Sequence, residues 1–344
     1  MTRADLFGRD LIETQEWSRD ELDLVLQTAK DLKKRHCSGK VLPDLLMKKI
    51  FFALFYNTST RTRASFEAAM TLLGGDAQYI EASTTRLGQG EAVKDVARVY
   101  SRYGNGIGIR VGTLHEYPPG AATRMIREFA QFADIPVVNM ANDEYHPCQG
   151  LADIMSVQEK FPKYEKKKFV IAWAYSGKIR TPCSINADAL IMTRYGLDVV
   201  VACPPEFELD PKITDLCKVN SEESGGSLTV DHDLRNALRG GHLVFPRSWT
   251  TQNLILNGLQ AVGGTEPELE VHRKYKHWRL TSELVDQMDR SAKIMHVMPV
   301  YRDLEADDEL MDGTRSMIID QAENRLHAQM GVLALTMGKS MARK

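Results

Sequence analysis

Ser59-Thr60-Arg61-Thr62-Arg63 stands where an apolar run, KIFFALFYN, gives way to a helical pattern, ASFEAAMTLLGG. A helix that starts there leaves its first N–H groups unpaired and its positive dipole end exposed. Two arginines in that turn are repelled by the dipole, so the arrangement makes sense when a strongly charged anion joins them. Ser and Thr hydroxyls with a forked guanidinium match the oxygens of a phosphate. The bland alternative is a solvated basic turn capped by Ser59. The chain holds no G-x-x-x-x-G-K-[ST], and its strand FVIAWAY is followed by Ser-Gly-Lys-Ile-Arg-Thr-Pro-Cys in place of G-x-G-x-x-G. A P-loop nucleotide site and a dinucleotide dehydrogenase are both disfavoured, so the anion belongs to something smaller.

Positioning such a turn takes a scaffold, and short apolar runs alternating with amphipathic stretches predict parallel α/β architecture. Ser18-Arg19-Asp20-Glu21 reads as a capping box opening the first helix. Phe66, Met70 and Leu73 share one face of the helix after the arginines, and Gly74-Gly75 stop it. The first half continues through the strand at GIGIRV to PVVNM and a helix opening at His146-Pro147. The second half restarts with FVIAWAY, LDVVVAC, SLTV, HLVFP and IMHVMP as strands. Residues 251–278 lack clear periodicity and suit either a mobile lid or a surface insertion. At roughly 150 residues per domain, 344 residues make two, divided here at 155/156. A net charge of −2 offers no field for nucleic acid or anionic lipid. Five cysteines without regular spacing give no disulfide framework, and no CxxC or HExxH announces zinc, so neither metal nor cofactor is expected. The start is too charged for a signal peptide and the apolar runs are too short to span a bilayer, which points to a cytoplasmic protein.

With these motifs in order, the sequence resembles the aspartate/ornithine carbamoyltransferase family across essentially its whole length. STRTR matches that family's carbamoyl phosphate motif, His146-Pro147-Cys148-Gln149 with Leu151-Ala152-Asp153 its HPxQ…LAD signature, and Ala322-Glu323-Asn324-Arg325 its AENR ending. The resemblance implies two doubly wound parallel-sheet domains, the first rejoined by a C-terminal helix over 318–344 and the second spanning 156–317. It implies transfer of a carbamoyl group from carbamoyl phosphate to an amine, in a homotrimer with active sites between subunits. Ser59, Thr60, Arg61 and Thr62 would hold the phosphate. Arg110, His146 and Thr62 would polarise the carbamoyl oxygen, and Gln149 would accept from the carbamoyl NH2. Arg325 and the Met298 carbonyl would finish the pocket. Ser83 or Arg86 would reach in from a neighbouring subunit, although a polar loop capping the next helix is an equal reading of that segment.

The acceptor side departs from the ornithine pattern. His296-Val297-Met298-Pro299 stands for His-Cys-Leu-Pro, and D-x-x-S-M-G is absent. Phe245-Pro246-Arg247-Ser248-Trp249 resembles instead the K-S-W of the N-acetylornithine carbamoyltransferases, with arginine for lysine, as do Trp173-Ala174-Tyr175 and the Pro182 segment. That branch implies a chain threaded through a shallow knot in the second domain. Arg247, with Arg180 or Arg302, suits bidentate pairing of an acceptor carboxylate. Asn142 and Glu144 are further acceptor candidates, and Trp249 reads as packing. The acceptor is thus an amino acid or acylated diamine, in biosynthesis or in the reverse phosphorolysis of a ureido compound. The competing reading is a catalytically weak paralogue that binds carbamoyl phosphate or phosphate as a regulatory protein.

Overall fold

The structure, a computed structural model, describes residues 6–112 and 118–338. The chain divides into two compact units. Among the described residues, 6–112, 120–155 and 323–338 form the first, and 118–119 with 156–322 the second.

The first unit opens with α1 (Arg19–Cys37). Its capping box closes in both directions, Glu21 N donating to Ser18 Oγ and Ser18 N to the Glu21 carboxylate. The strands are β1 (Ile50–Phe55), β2 (Asp76–Glu81), β3 (Gly106–Arg110) and β4 (Val137–Ala141), parallel in the order β2-β1-β3-β4. Between them run α2 (Arg61–Leu72), α3 (Val93–Tyr103) and α4 (Ala121–Phe132). Phe66, Met70 and Leu73 are fully buried, the face that the 3.6-residue period assigns to the core. Helix α5 (Pro147–Lys160) follows β4.

The second unit is a five-stranded parallel sheet in the order β7-β6-β5-β8-β9. Its strands are β5 (Lys168–Trp173), β6 (Asp198–Ala202), β7 (Ser227–Asp231), β8 (Leu243–Arg247) and β9 (Lys293–Ile294). Helices α6 (Cys183–Arg194), α7 (Pro211–Ser224) and α8 (Leu234–Leu238) connect the first four strands. Residues 251–278 are ordered as α9 (Gln252–Asn257) and α10 (Thr265–Lys274), where buried Glu268 takes bonds from Thr250, Thr251 and His272. That polar anchor explains the missing apolar period. Short α11 (Ser282–Val285) and α12 (Asp308–Asp312) precede the closing α13 (Ile318–Thr336). The expected strand IMHVMP shrinks to two residues: Pro246 in β8 has no N–H to offer, and His296 N donates to Gln321 Oε1 instead. None of the described helices is long and apolar enough to cross a membrane.

Both sheets reverse their strand order once, between β1 and β3 and between β5 and β8. In such sheets the crevice for a ligand opens at the carboxyl ends of the strands on either side of that reversal.

Candidate active site

At the first reversal, Phe55 pairs with Arg110, so the Ser59–Arg63 turn and the Arg110 side chain leave adjacent strand ends. Helix α2 begins at Arg61. Its N-cap, Thr60, makes no side-chain cap bond, and its first turn has no acidic residue. Ser59 is half-buried, as is Arg61, while Thr60 is exposed. Arg63 does not share in this grouping: it pairs with Glu67 at 2.9 Å and lies over the Tyr79 ring at 3.9 Å.

Thr62 is buried, and two guanidinium groups converge on it. Arg110 Nη1 donates to Thr62 Oγ1 at 3.1 Å and Arg325 Nη2 at 3.2 Å. Arg325 Nη1 also donates to Gln149 Oε1 at 2.7 Å, and Gln149 Nε2 donates to Asp153 Oδ1 at 2.8 Å. Like cations drawn this close, and largely out of water, are costly without a counter-anion. His146 is buried and its carbonyl accepts from Gln149 N and Gly150 N, which places it as the cap residue before Pro147 of α5. Burial pushes the neighbouring Cys148 thiol up to about 12, so it stays protonated and is no nucleophile.

Ser83 and Arg86 stand exposed on two consecutive 3-10 turns, Ala82–Thr84 and Arg86–Gln89, with Arg86 bonded to Gln89. The segment does not cap α3, whose N-cap, Ala92, has no side-chain bond. Asn142 and Glu144 are engaged inside the first unit. The Asn142 amide donates to Thr123 Oγ1 and its oxygen accepts from Glu144 N and Tyr145 N, while Thr123 also binds the Glu144 carboxylate.

At the second reversal Trp173 pairs with Arg247, the last residue of β8. Arg247 is 6% exposed, and its Nε and Nη1 have no hydrogen-bond partner among the described residues. Burial first, then Arg180, pull this guanidinium down to about 9, still protonated at neutral pH. Next to it lies Glu305, a residue that sequence reasoning missed because it sits in a run of charges, DLEADDE, indistinguishable from a solvated face. The fully buried Glu305 carboxylate accepts from Ser248 N at 2.9 Å, Tyr301 N at 2.8 Å and Arg180 Nη1 at 3.3 Å. Burial alone would raise its pKa, but the facing His296, Arg180 and Arg247 override it and hold the carboxyl down to about 2. His296 Nδ1 accepts from Met298 N, which leaves the proton on Nε2, 3.3 Å from Glu305. Glu305 thus takes its hydrogen bonds from Ser248, Tyr301 and Arg180, while Arg247 faces it with two nitrogens that have no hydrogen-bond partner among the described residues. Met298 adopts φ 55° ahead of a cis bond to Pro299. Arg302 is apart from this group, bound at the surface by Asp308 and Asp312.

Two family models match the chain: the aspartate/ornithine carbamoyltransferase carbamoyl-P binding domain over residues 9–159, and the Asp/Orn binding domain over 171–336. The chain is 36% identical to the ornithine carbamoyltransferase of Pyrococcus horikoshii, covering 97% of this chain and 98% of that one. It is 34% identical to the N-acetylornithine carbamoyltransferase of Xanthomonas campestris pv. campestris, covering 96% and 98%. Among solved structures, the Pyrococcus furiosus ornithine carbamoyltransferase superposes with a TM-score of 0.85 at 35% identity, over 97% of this chain and 98% of that one. An acetylornithine transcarbamylase complexed with acetylcitrulline superposes with a TM-score of 0.87 at 32% identity, over 96% and 100%.

Proposed function

The chain belongs to the aspartate/ornithine carbamoyltransferase family, and on that premise we propose how it divides the work of its reaction. The enzyme is a carbamoyltransferase, moving the carbamoyl group of carbamoyl phosphate to an amine and releasing phosphate. The first unit holds carbamoyl phosphate at the start of α2, with Ser59, Thr60, Arg61 and Thr62 on the phosphate. The observation that carries this is the convergence of Arg110 and Arg325 on buried Thr62, beside a helix N-terminus that no side chain caps. Attack by a neutral amine builds negative charge on the carbamoyl oxygen and then on the departing phosphate. Arg110, Thr62 and His146 stabilise the first charge, and the helix amides with Arg61 the second. Gln149 Oε1 keeps a lone pair beyond its bond from Arg325 and accepts from the carbamoyl NH2. The phosphate dianion takes the amine's proton.

The acceptor binds by a carboxylate at Arg247, whose buried Nε and Nη1, without a hydrogen-bond partner among the described residues, support an anion there. Among ornithine-like acceptors we favour the acylated class. The F-P-R-S-W stretch supports this branch. The assembly is a homotrimer in which Ser83 and Arg86 serve the neighbouring subunit.

Phosphate release tests the reading, with carbamoyl phosphate and a panel of ornithine, N-acetylornithine, N-succinylornithine, 2,3-diaminopropionate, aspartate and putrescine. A carboxylate-bearing amine is expected to turn over and putrescine, which has no carboxylate, to fail. Tight carbamoyl phosphate binding with no turnover of any amine would favour the regulatory reading. Arg247→Ala is expected to raise the acceptor KM about 10- to 100-fold while leaving carbamoyl phosphate affinity unchanged.

A further inference from the structure

In the first unit, Cys37 ends α1 and meets Glu323 and His327 of α13. Cys37 Sγ lies 3.8 Å from Glu323 Oε1, and His327 Nε2 lies 3.4 Å from the same oxygen. One sulfur, one oxygen and one nitrogen ligand atom lie within 4.8 Å of one another. A tetrahedral zinc ion, with bonds of about 2.0 to 2.3 Å, sets its ligand atoms about 3.3 to 3.8 Å apart. We propose that Cys37, Glu323 and His327 bind a borderline-soft divalent cation, zinc or cobalt, that joins α1 to α13.

The alternative, an ordinary surface network, leaves the site badly satisfied. His327 is fully buried, yet its Nδ1 has no partner among the described residues and its Nε2 contact is long for a hydrogen bond. Burial holds the ring's pKa below the ordinary value, so at neutral pH it is the uncharged imidazole that metals take. Glu323 and His327 are one turn apart on a single face. Cys37 sits at a helix C-terminus, where the dipole favours a cation. The two helices are held in contact: a Cβ at Gly331 would meet Val25 O at 2.7 Å. Water would fill the fourth position, on the exposed side of Cys37 and Glu323. Lys33 opposes a cation, but its Nζ stands by the other carboxylate oxygen, 3.9 Å from Oε2, and donates to Asn324 Oδ1 at 2.7 Å. A thiolate with an imidazole selects against magnesium and calcium. Binding displaces the thiol proton.

Cobalt(II) reports the site directly. The intact chain, stripped with chelator and kept reduced, is titrated with Co(II) and read by absorption. One equivalent should produce a thiolate-to-cobalt charge-transfer band, which Zn(II) abolishes. Cys37 is exposed and the other four cysteines are buried, so Cys37→Ser should remove the band without unfolding the chain. Glu323→Gln should keep the band but weaken cobalt about tenfold or more. Zn(II) should raise the thermal midpoint of the unsubstituted chain and not that of Cys37→Ser. No band, or a band that Cys37→Ser leaves intact, overturns the proposal, as does an equal thermal shift in both proteins.

Discussion

Thr62 shows how much a single hydroxyl can organise. Its one oxygen accepts a hydrogen bond from each of two guanidiniums, Arg110 and Arg325, so its loss removes a buried acceptor from both at once. Thr62→Val keeps the shape and is expected to weaken carbamoyl phosphate about 10- to 100-fold, the cost of about 1 to 3 kcal/mol for unsatisfied buried donors, as calorimetry would read it. Arg61→Ala, which removes a proposed phosphate partner, should weaken it further. Asp143 carries a different signature. Burial first, and Glu144 second, push its carboxyl up to about 6, and its Oδ1 has no partner among the described residues. An acid whose pKa is higher folded than unfolded adds stability below the unfolded value and loses it as pH rises through the folded one. The chain should thus lose up to about 3 kcal/mol between pH ~4 and pH ~6. Asp143→Asn should flatten that slope in urea unfolding across this range; an unchanged slope would place its origin elsewhere. Glu305, held down to about 2, works in the opposite sense: its contribution is present above the unfolded carboxylate range and is lost as pH falls from there through about 2. Glu305→Gln leaves two arginines facing each other in a buried cluster and should cost about 3 to 5 kcal/mol.

At the scale of elements, what can be read from sequence is what is local. The Ser18 capping box, the buried stripe of Phe66, Met70 and Leu73, and the passage from β1 through Arg61 into α2 are each written within a few residues, and each forms as its spacing implies. Glu305 escapes such reading, because its partners Ser248 and Arg180 lie 57 and 125 positions away. The Cys37–Glu323 contact spans 286 positions, so no metal-ligand spacing could announce it. Residues 251–278 mislead for a related reason: their helices are anchored by a buried carboxylate where an apolar stripe would be expected. Helix contacts leave a trace only where a residue is forced to be small. Gly331 is such a place, since α13 passes the backbone of α1 there. Gly331→Ala is expected to cost about 1 to 3 kcal/mol by overpacking, measurable as a lowered denaturation midpoint.

For the whole molecule, two doubly wound units each bring arginines to their own sheet reversal, and the proposed assembly adds a third contribution from a neighbouring chain. Arg86 is exposed, and among the described residues its guanidinium donates to the nearby Gln89, an arrangement compatible with service in another subunit. Mixing tests this without any need to see the interface. Arg86→Ala and Arg247→Ala chains should each be poorly active. When they are unfolded, mixed equally and reassembled, a cyclic trimer places some Arg86→Ala subunits, with Arg247 intact, beside Arg247→Ala subunits that supply Arg86. About one quarter of the sites then hold both arginines, and activity should rise to about that fraction of the unsubstituted enzyme. A loop acting within its own chain allows no such recovery, since every chain in the mixture lacks one of the two side chains. Activity that stays at the level of the separate variants, in assemblies whose mass is about three chains, would therefore remove Arg86 from the neighbouring site while leaving the assignment of Thr62, Arg110 and Arg325 untouched.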